Sequence, residues 1–221
     1  MTMPIFQFPA SAPSIDLTDT GSIIANMYEF LEGGISRGKS LVYYIQPGVE
    51  GKFFGIRKIY KSLKSGETCI FVASSTSPNN IRSQLKDMGL DVDAFNNKFF
   101  FVDVFSPLIV APSKEKFVVL NPCSINELSK VVLDLLKKFP SSTVVFESLS
   151  TIMDFCGEEE TIEAVRKWNK IAALHDHAII YNFTAWPYSP KTLNLIQKKL
   201  FNAVISIGIS GRVSVGNSRD Y

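Results

Sequence analysis

The sequence predicts an α/β fold of three layers, a mainly parallel central sheet with helices on both faces. Three observations predict it. Runs that are apolar almost throughout recur at residues 41–45, 68–73, 98–104, 142–147, 178–184 and 203–209, and strands without polar alternation are strands covered on both sides. Stretches of helical period lie between them, and alternation of strand with helix builds a parallel sheet. The chain of 221 residues is 46% apolar and holds 17 Phe, enough to bury such a core in one domain.

Residues 1–20, containing Pro and Ser, read as an N-terminal arm, and 21–221 as a single domain. Phe6 and Phe8 are the residues that would dock the arm, on the body or on a neighbour. A helix is predicted over 22–31, with Ile23, Ile24, Met27 and Phe30 on one stripe and Gly33-Gly34 as its stop. The first strand, 41–45, leads through a turn at 46–51 into a helix from 52 to 63. The second strand, 68–73, ends in the polar tip 74–77, and Pro78 opens a helix stopped by Gly89. A third strand at 98–104 precedes a less regular crossover, 105–121. Ser124, with Glu127 three positions on, forms a capping box for a helix over 125–138. The strand 142–147 is followed by a hydroxyl-rich tip, 148–154, and an amphipathic helix, 158–174. The strand 178–184, a short basic helix over 191–200 and a last strand at 203–209 complete the fold.

The formal net charge of +2 gives little support to nucleic acid or an anionic membrane as partner. No apolar run has the length that spans a bilayer, and the first residues lack the pattern of a signal peptide. Cys69, Cys123 and Cys156 make no C-x-x-C spacing, so zinc and thiol-redox motifs are absent and a reducing cytoplasm is expected.

The stretch QPGVEGKF, residues 46–53, stands between a strand and a helix, as the phosphate-binding loop G-x-x-x-x-G-K-[ST] does. Gly51 and Lys52 fit its sixth and seventh places. Gln46 stands where the first glycine belongs and Phe53 where the magnesium-binding hydroxyl belongs. Gly48, Glu50, Gly51, Lys52 and Phe53 are thus the candidate nucleotide-binding residues of the loop. Backbone N–H groups around Gly48 and Gly51 and the Lys52 cation could hold phosphate. A phenyl ring at Phe53 cannot ligate magnesium; it packs in the core or fills the space for metal and phosphate.

Six further stretches extend the likeness. LEGGISRGKSLVYY (31–44), FVASSTSPNNIRSQLKDMG (71–89), FFFVDVFS (99–106), NPCSINELSKVVLDLL (121–136), STVVFESLST (142–151) and FNAVISI (201–207) follow one another in an order and spacing that resemble the KaiC-like branch of the RecA-like P-loop ATPases. The resemblance implies a RecA-like three-layer fold, ATP or ADP as ligand, and a site at a subunit boundary. A homo-oligomer, or assembly with a related active subunit, follows from it. Fold alone does not carry activity, which rests on the individual site positions.

Glu147 stands at the aspartate position of the family's Walker B strand and reaches about 1.5 Å further, one C–C bond. It has two readings, a magnesium ligand through water or a structural partner of Lys52. Two adjacent acidic residues precede the family's Ser-Pro, one of them the base for the attacking water. Ser75 and Thr76 occupy those places, and a hydroxyl is no base at neutral pH. Losing a general base costs about 10²–10⁴ in rate. Thr184 is the candidate for the family's γ-phosphate sensor, with a loop cap as the other reading. These departures make magnesium doubtful and point to a catalytically inactive pseudo-ATPase with a regulatory or scaffolding role. An active KaiC-like ATPase and a recombinase-like DNA-binding paralogue are the alternatives.

Three weaker features complete the reading. The aromatic turn Trp186-Pro187-Tyr188 could stack a base or dock a partner, or form a core edge. His175 and His177 in H-D-H lack further metal ligands and read as a solvated turn. Lys191, Lys198 and Lys199 read as a solvated helix face.

Overall fold

The computed structural model describes residues 35–49, 54–95 and 97–208 and, as backbone, 213–217. The predicted arm, the helix predicted over 22–31, and Glu50, Gly51, Lys52 and Phe53 lie outside the described residues. Eight strands form one sheet: β1 (Ser40–Ile45), β2 (Cys69–Ala73), β3 (Phe99–Asp103), β4 (Phe117–Val118), β5 (Thr143–Phe146), β6 (Ala178–Thr184), β7 (Ala203–Ile207) and β8 (Val213–Asn217). Their order is β4-β3-β2-β5-β6-β1-β7-β8. The first seven are parallel, and β8 runs antiparallel to β7 at the edge.

The central strands are buried at every position, which their uniform apolar sequences require. Successive side chains alternate between two cores. Val42 and Tyr44 of β1 face one, with Ile70, Val144 and Tyr181. Leu41, Tyr43 and Ile45 face the other, with Phe71, Val145 and Ile180.

Helices α1 (Ile56–Lys64) and α2 (Pro78–Asp87) cover the second core through Ile56, Ile59, Leu63, Ile81 and Leu85. A four-residue helix α3 (Phe105–Leu108) follows β3. Helices α4 (Ile125–Lys138), α5 (Leu149–Cys156), α6 (Glu158–Leu174) and α7 (Pro190–Lys198) cover the first core. Serines cap four of them: Ser77, Ser124, Ser148 and Ser189 each accept a backbone N–H three residues on.

The helices α4 and α6 and the strand β6 have the predicted limits. The capping box is partly different: Ser124 Oγ accepts the Glu127 N–H at 3.3 Å, but Glu127 Oε1 reaches back to Leu120 and Asn121 rather than to Ser124. The hydroxyl-rich tip at 148–154 is not a loop but most of α5, its first serine being the cap. The crossover at 105–121 holds α3 and the two-residue strand β4, and the sheet continues past 209 into β8. Among the described residues no helix is long and apolar enough to cross a membrane.

Candidate functional site

The strand order β2-β5-β6-β1 sets four strand tips side by side. Val72 is level with Phe146, Phe146 with Tyr181, and Ile45 with Thr184. The carboxyl ends of neighbouring parallel strands are where such sheets bind ligands. Ser75 and Thr76, Glu147, Thr184 and the 46–49 turn are therefore brought to one rim.

Glu147 follows β5 and is 4% exposed. A buried carboxylate needs donors or a cation. Its donors come from the tip of β2. Oε2 accepts the N–H of Ser74 at 3.0 Å and of Ser75 at 2.7 Å, and Oε1 accepts the Ser75 hydroxyl at 2.6 Å. Ser74 Oγ donates to Ser148 O at 2.9 Å, a second tie between the same tips. The backbone before the carboxylate is held by stacking. Phe146 lies 4.8 Å from the Trp168 ring and 4.7 Å from Tyr181, both nearly parallel to it. Trp168 Nε1 donates to Ser129 Oγ and Tyr181 OH to Asn169 Oδ1, so the clamp leaves neither polar handle unpaired.

The turn after β1 is anchored at its start. Gln46 N–H donates to Ile207 O at 2.9 Å and Val49 N–H to Gln46 O at 3.2 Å. Gly48 has φ +86 with open space where a side chain would begin. The chain from Phe54 onward is anchored too. Phe54 stacks on Tyr43 at 4.9 Å, and Asn182 Nδ2 donates to the Phe54 carbonyl at 3.2 Å. Gly55 at φ +87 lies where a Cβ would meet Ile180 Cγ2 at 3.1 Å and Val145 Cγ2 at 3.2 Å. Only glycine lets α1 start this close to β5 and β6.

Thr184 sits beside the turn, since Ala185 N–H donates to Ile45 O at 2.8 Å. Its backbone is tied to α5: Thr184 N–H donates to Ser150 Oγ at 2.7 Å and that hydroxyl donates to Thr184 O at 3.1 Å. Asn182 lies within β6, two residues before Thr184. It is 3% exposed, and its Oδ1 has no hydrogen-bond partner among the described residues. Its role in joining β6 to the start of α1 depends on strand adjacency and had no signal in the sequence.

The aromatic turn divides. Trp186 is exposed, whereas Tyr188 is buried, its hydroxyl donating to Asp154 Oδ1 at 2.7 Å. Burial and that carboxylate push the Tyr188 phenol well above its ordinary value. The H-D-H turn divides likewise. His175 is exposed, but His177 is fully buried, with Nδ1 accepting the Ser142 N–H at 3.1 Å. The solvated reading fails for His177 because β6 begins at the next residue and the buried ring is bonded to Ser142, just before β5. Burial lowers its pKa to about 4. Among the described residues no group of three or more His, Cys, Asp or Glu is placed to hold a metal. Lys191, Lys198 and Lys199 are exposed, Lys191 pairing with Glu159 at 3.0 Å.

Comparison with known proteins gives a consistent answer. A family model described as "ATPase: KaiC" matches residues 20–172. A UPF0273 protein of Aeropyrum pernix is 29% identical over 141 residues, which cover 62% of this chain and 56% of that one. A UPF0273 protein of Sulfurisphaera tokodaii is 32% identical over 128 residues, 56% of this chain and 45% of that one. The chain spans about half the length of the curated relatives it matches. A crystal structure of a KaiC-like protein from Pyrococcus horikoshii superposes with a TM-score of 0.61 over 86% of this chain and 84% of that chain. At 18% identity that likeness is one of fold.

Proposed function

Because this chain belongs to the KaiC family of ATPase domains, we propose that it is a pseudo-ATPase of that family, which keeps the fold, binds ATP or ADP weakly and does not hydrolyse it. Its role is then regulatory or scaffolding, in a homo-oligomer or beside an active relative. The observation that carries this reading is the commitment of Glu147 to Ser74 and Ser75. The two positions where the resemblance expects an acid for metal and an acid for water are hydrogen-bonded to each other.

The chemistry supports it. In-line phosphoryl transfer relies on metal ions to neutralise developing charge and on a residue that orients the nucleophile. Both Glu147 oxygens already accept hydrogen bonds, and Phe53 brings no hydroxyl. With three of the roughly four acceptor sites of Glu147 taken and none offered by Phe53, the residues present are a poor fit for a directly held magnesium ion, and no step is assigned to one. Ser75 and Thr76 offer no base. What remains for phosphate is the turn at Gly48 with Thr184 beside that turn, and the residues Glu50, Gly51 and Lys52 that the sequence supplies.

Calorimetric titration with ATP and ADP, with and without magnesium, tests it on the wild type and Lys52→Ala. Weak binding that Lys52→Ala loses and magnesium leaves unchanged is the expected result. Tight binding that requires magnesium overturns it.

A further inference from the structure

Cys123 and Cys156 are far apart in the sequence, and no short spacing links them. The fold brings them together where one helix begins and another ends. Cys123 stands in the turn before α4, next to the cap residue Ser124, and is exposed. Cys156 is the last residue of α5 and is half-buried. Its thiol donates to the Pro122 carbonyl at 3.4 Å. That carbonyl belongs to the peptide that runs into Cys123, and its oxygen lies about 2.8 Å from the Cys123 Cα by standard peptide geometry. The Cys156 sulfur is therefore within about 6 Å of the Cys123 Cα. A disulfide holds its two Cα atoms about 4.4–6.8 Å apart, and this placement allows that span. Neither cysteine lies inside a helix, and Gly157, at φ +91, turns the chain directly after Cys156.

The two thiols differ. Burial and the neighbouring Cys123, with Glu160 behind it, push the Cys156 thiol up to about 11. At neutral pH Cys156 is therefore protonated, and the exposed Cys123 is the first to react. The third cysteine, Cys69, is fully buried in β2, with its thiol donating to the Ile59 carbonyl at 3.5 Å, and takes no part.

We infer that Cys123 and Cys156 form a reversible thiol–disulfide site, oxidised by a small-molecule disulfide. The Cys123 thiolate attacks one sulfur of that disulfide, forming a mixed disulfide on Cys123 and releasing the first reagent thiolate. Cys156 gives its proton to solvent, attacks the Cys123 sulfur and expels the second reagent thiolate. Two protein thiols are thereby oxidised to one disulfide, and one reagent disulfide is reduced to two thiols. The product staples the start of α4 to the end of α5. The other end of α5 lies at the rim of the candidate site, where Ser148 follows Glu147 and Ser150 bonds Thr184. The modification thus fixes the helix that carries these contacts. The inference does not depend on whether the protein binds or hydrolyses nucleotide.

Oxidised glutathione on the native full chain at pH 8 tests it, read by intact mass and by peptide mapping without reductant. The expected product has lost two hydrogens and gives one linked pair of peptides, holding Cys123 and Cys156. It forms at a rate independent of protein concentration and returns to the dithiol in dithiothreitol, while Cys69 stays a free thiol. In Cys156→Ser the reaction should stop at a glutathione adduct on Cys123 that persists at least about tenfold longer than in the wild type, because the resolving thiol acts from within the chain. A wild type that stays unmodified, stops at the adduct, joins two chains through Cys123 or pairs with Cys69 overturns the proposal. So does an adduct that clears from Cys156→Ser as fast as from the wild type. The wild-type measurement stands if the variant fails to fold.

Discussion

The Ser75 hydroxyl donates to Glu147 Oε1 across 2.6 Å, joining the tip of β2 to the tip of β5. In a chain of the KaiC family of ATPase domains, these two residues, at positions where the resemblance expects acids for metal and for water, hold each other. The pairing makes Glu147 a structural residue with a measurable contribution.

Ser75→Ala removes one donor and leaves the two N–H groups in place, so it should destabilise by about 1 kcal/mol. Glu147→Ala leaves three donors facing an empty site and should cost about 3 kcal/mol. Glu147→Asp is the sharper test. It restores the family's ordinary residue, yet it falls about 1.5 Å short of its donors and should also destabilise. Urea unfolding of the three variants gives the order; an Asp variant as stable as wild type would contradict the structural role.

Phe146 sets the position of that carboxylate through its stack between Trp168 and Tyr181. Phe146→Ala opens a cavity in the core and should cost about 3–5 kcal/mol. Phe146→Leu keeps most of the volume and should cost less than half as much by the same unfolding measurement.

Gly55 combines a left-handed backbone with contact distances of 3.1 and 3.2 Å to Ile180 and Val145. Gly55→Ala should therefore lose about 2 kcal/mol, the sum of backbone strain and overpacking. Gly48→Ala meets no atom within 4 Å and should lose only about 1 kcal/mol from its positive φ. Thermal unfolding separates the two.

His177 makes stability depend on pH. Its ring accepts from Ser142 and is neutral, and burial together with neighbouring His175 lowers its pKa to about 4, against smaller opposing pulls from the Leu136 and Ser142 backbones and from Asp176. The unfolded chain takes up a proton near 6.5, which the fold refuses. Stability from this site is thus complete above 6.5 and lost as the pH falls toward 4, by about 3 kcal/mol in all. Comparing wild type with His177→Gln in urea at pH 7 and pH 4.5 isolates it. The wild type should lose more stability on acidification than the variant does.

How far the sequence foretold this structure depended on whether a signal was local. The helix α4 was legible to its ends because Ser124 and Glu127 mark its start and the apolar period runs unbroken. The strand β6 was legible because AIIYNFT is apolar nearly throughout. The helix α5 was missed because Ser148, Ser150 and Thr151 have loop composition, while Ser148 acts as a cap and Ser150 bonds Thr184. Two-residue β4 is too short to show a period. At the rim, the positions of Glu147, Ser75 and Thr184 were legible one at a time. Their partners were not, because Ser75 and Glu147 are 72 residues apart and meet only through the β2–β5 register.

The claim that the chain does not hydrolyse nucleotide is tested most directly by phosphate release from magnesium-ATP, wild type beside Lys52→Ala. The account predicts that the two proteins release phosphate at the same rate as buffer. Release by the wild type that is abolished in Lys52→Ala would contradict it, and would make the Ser75–Glu147 pair part of a working ATPase site.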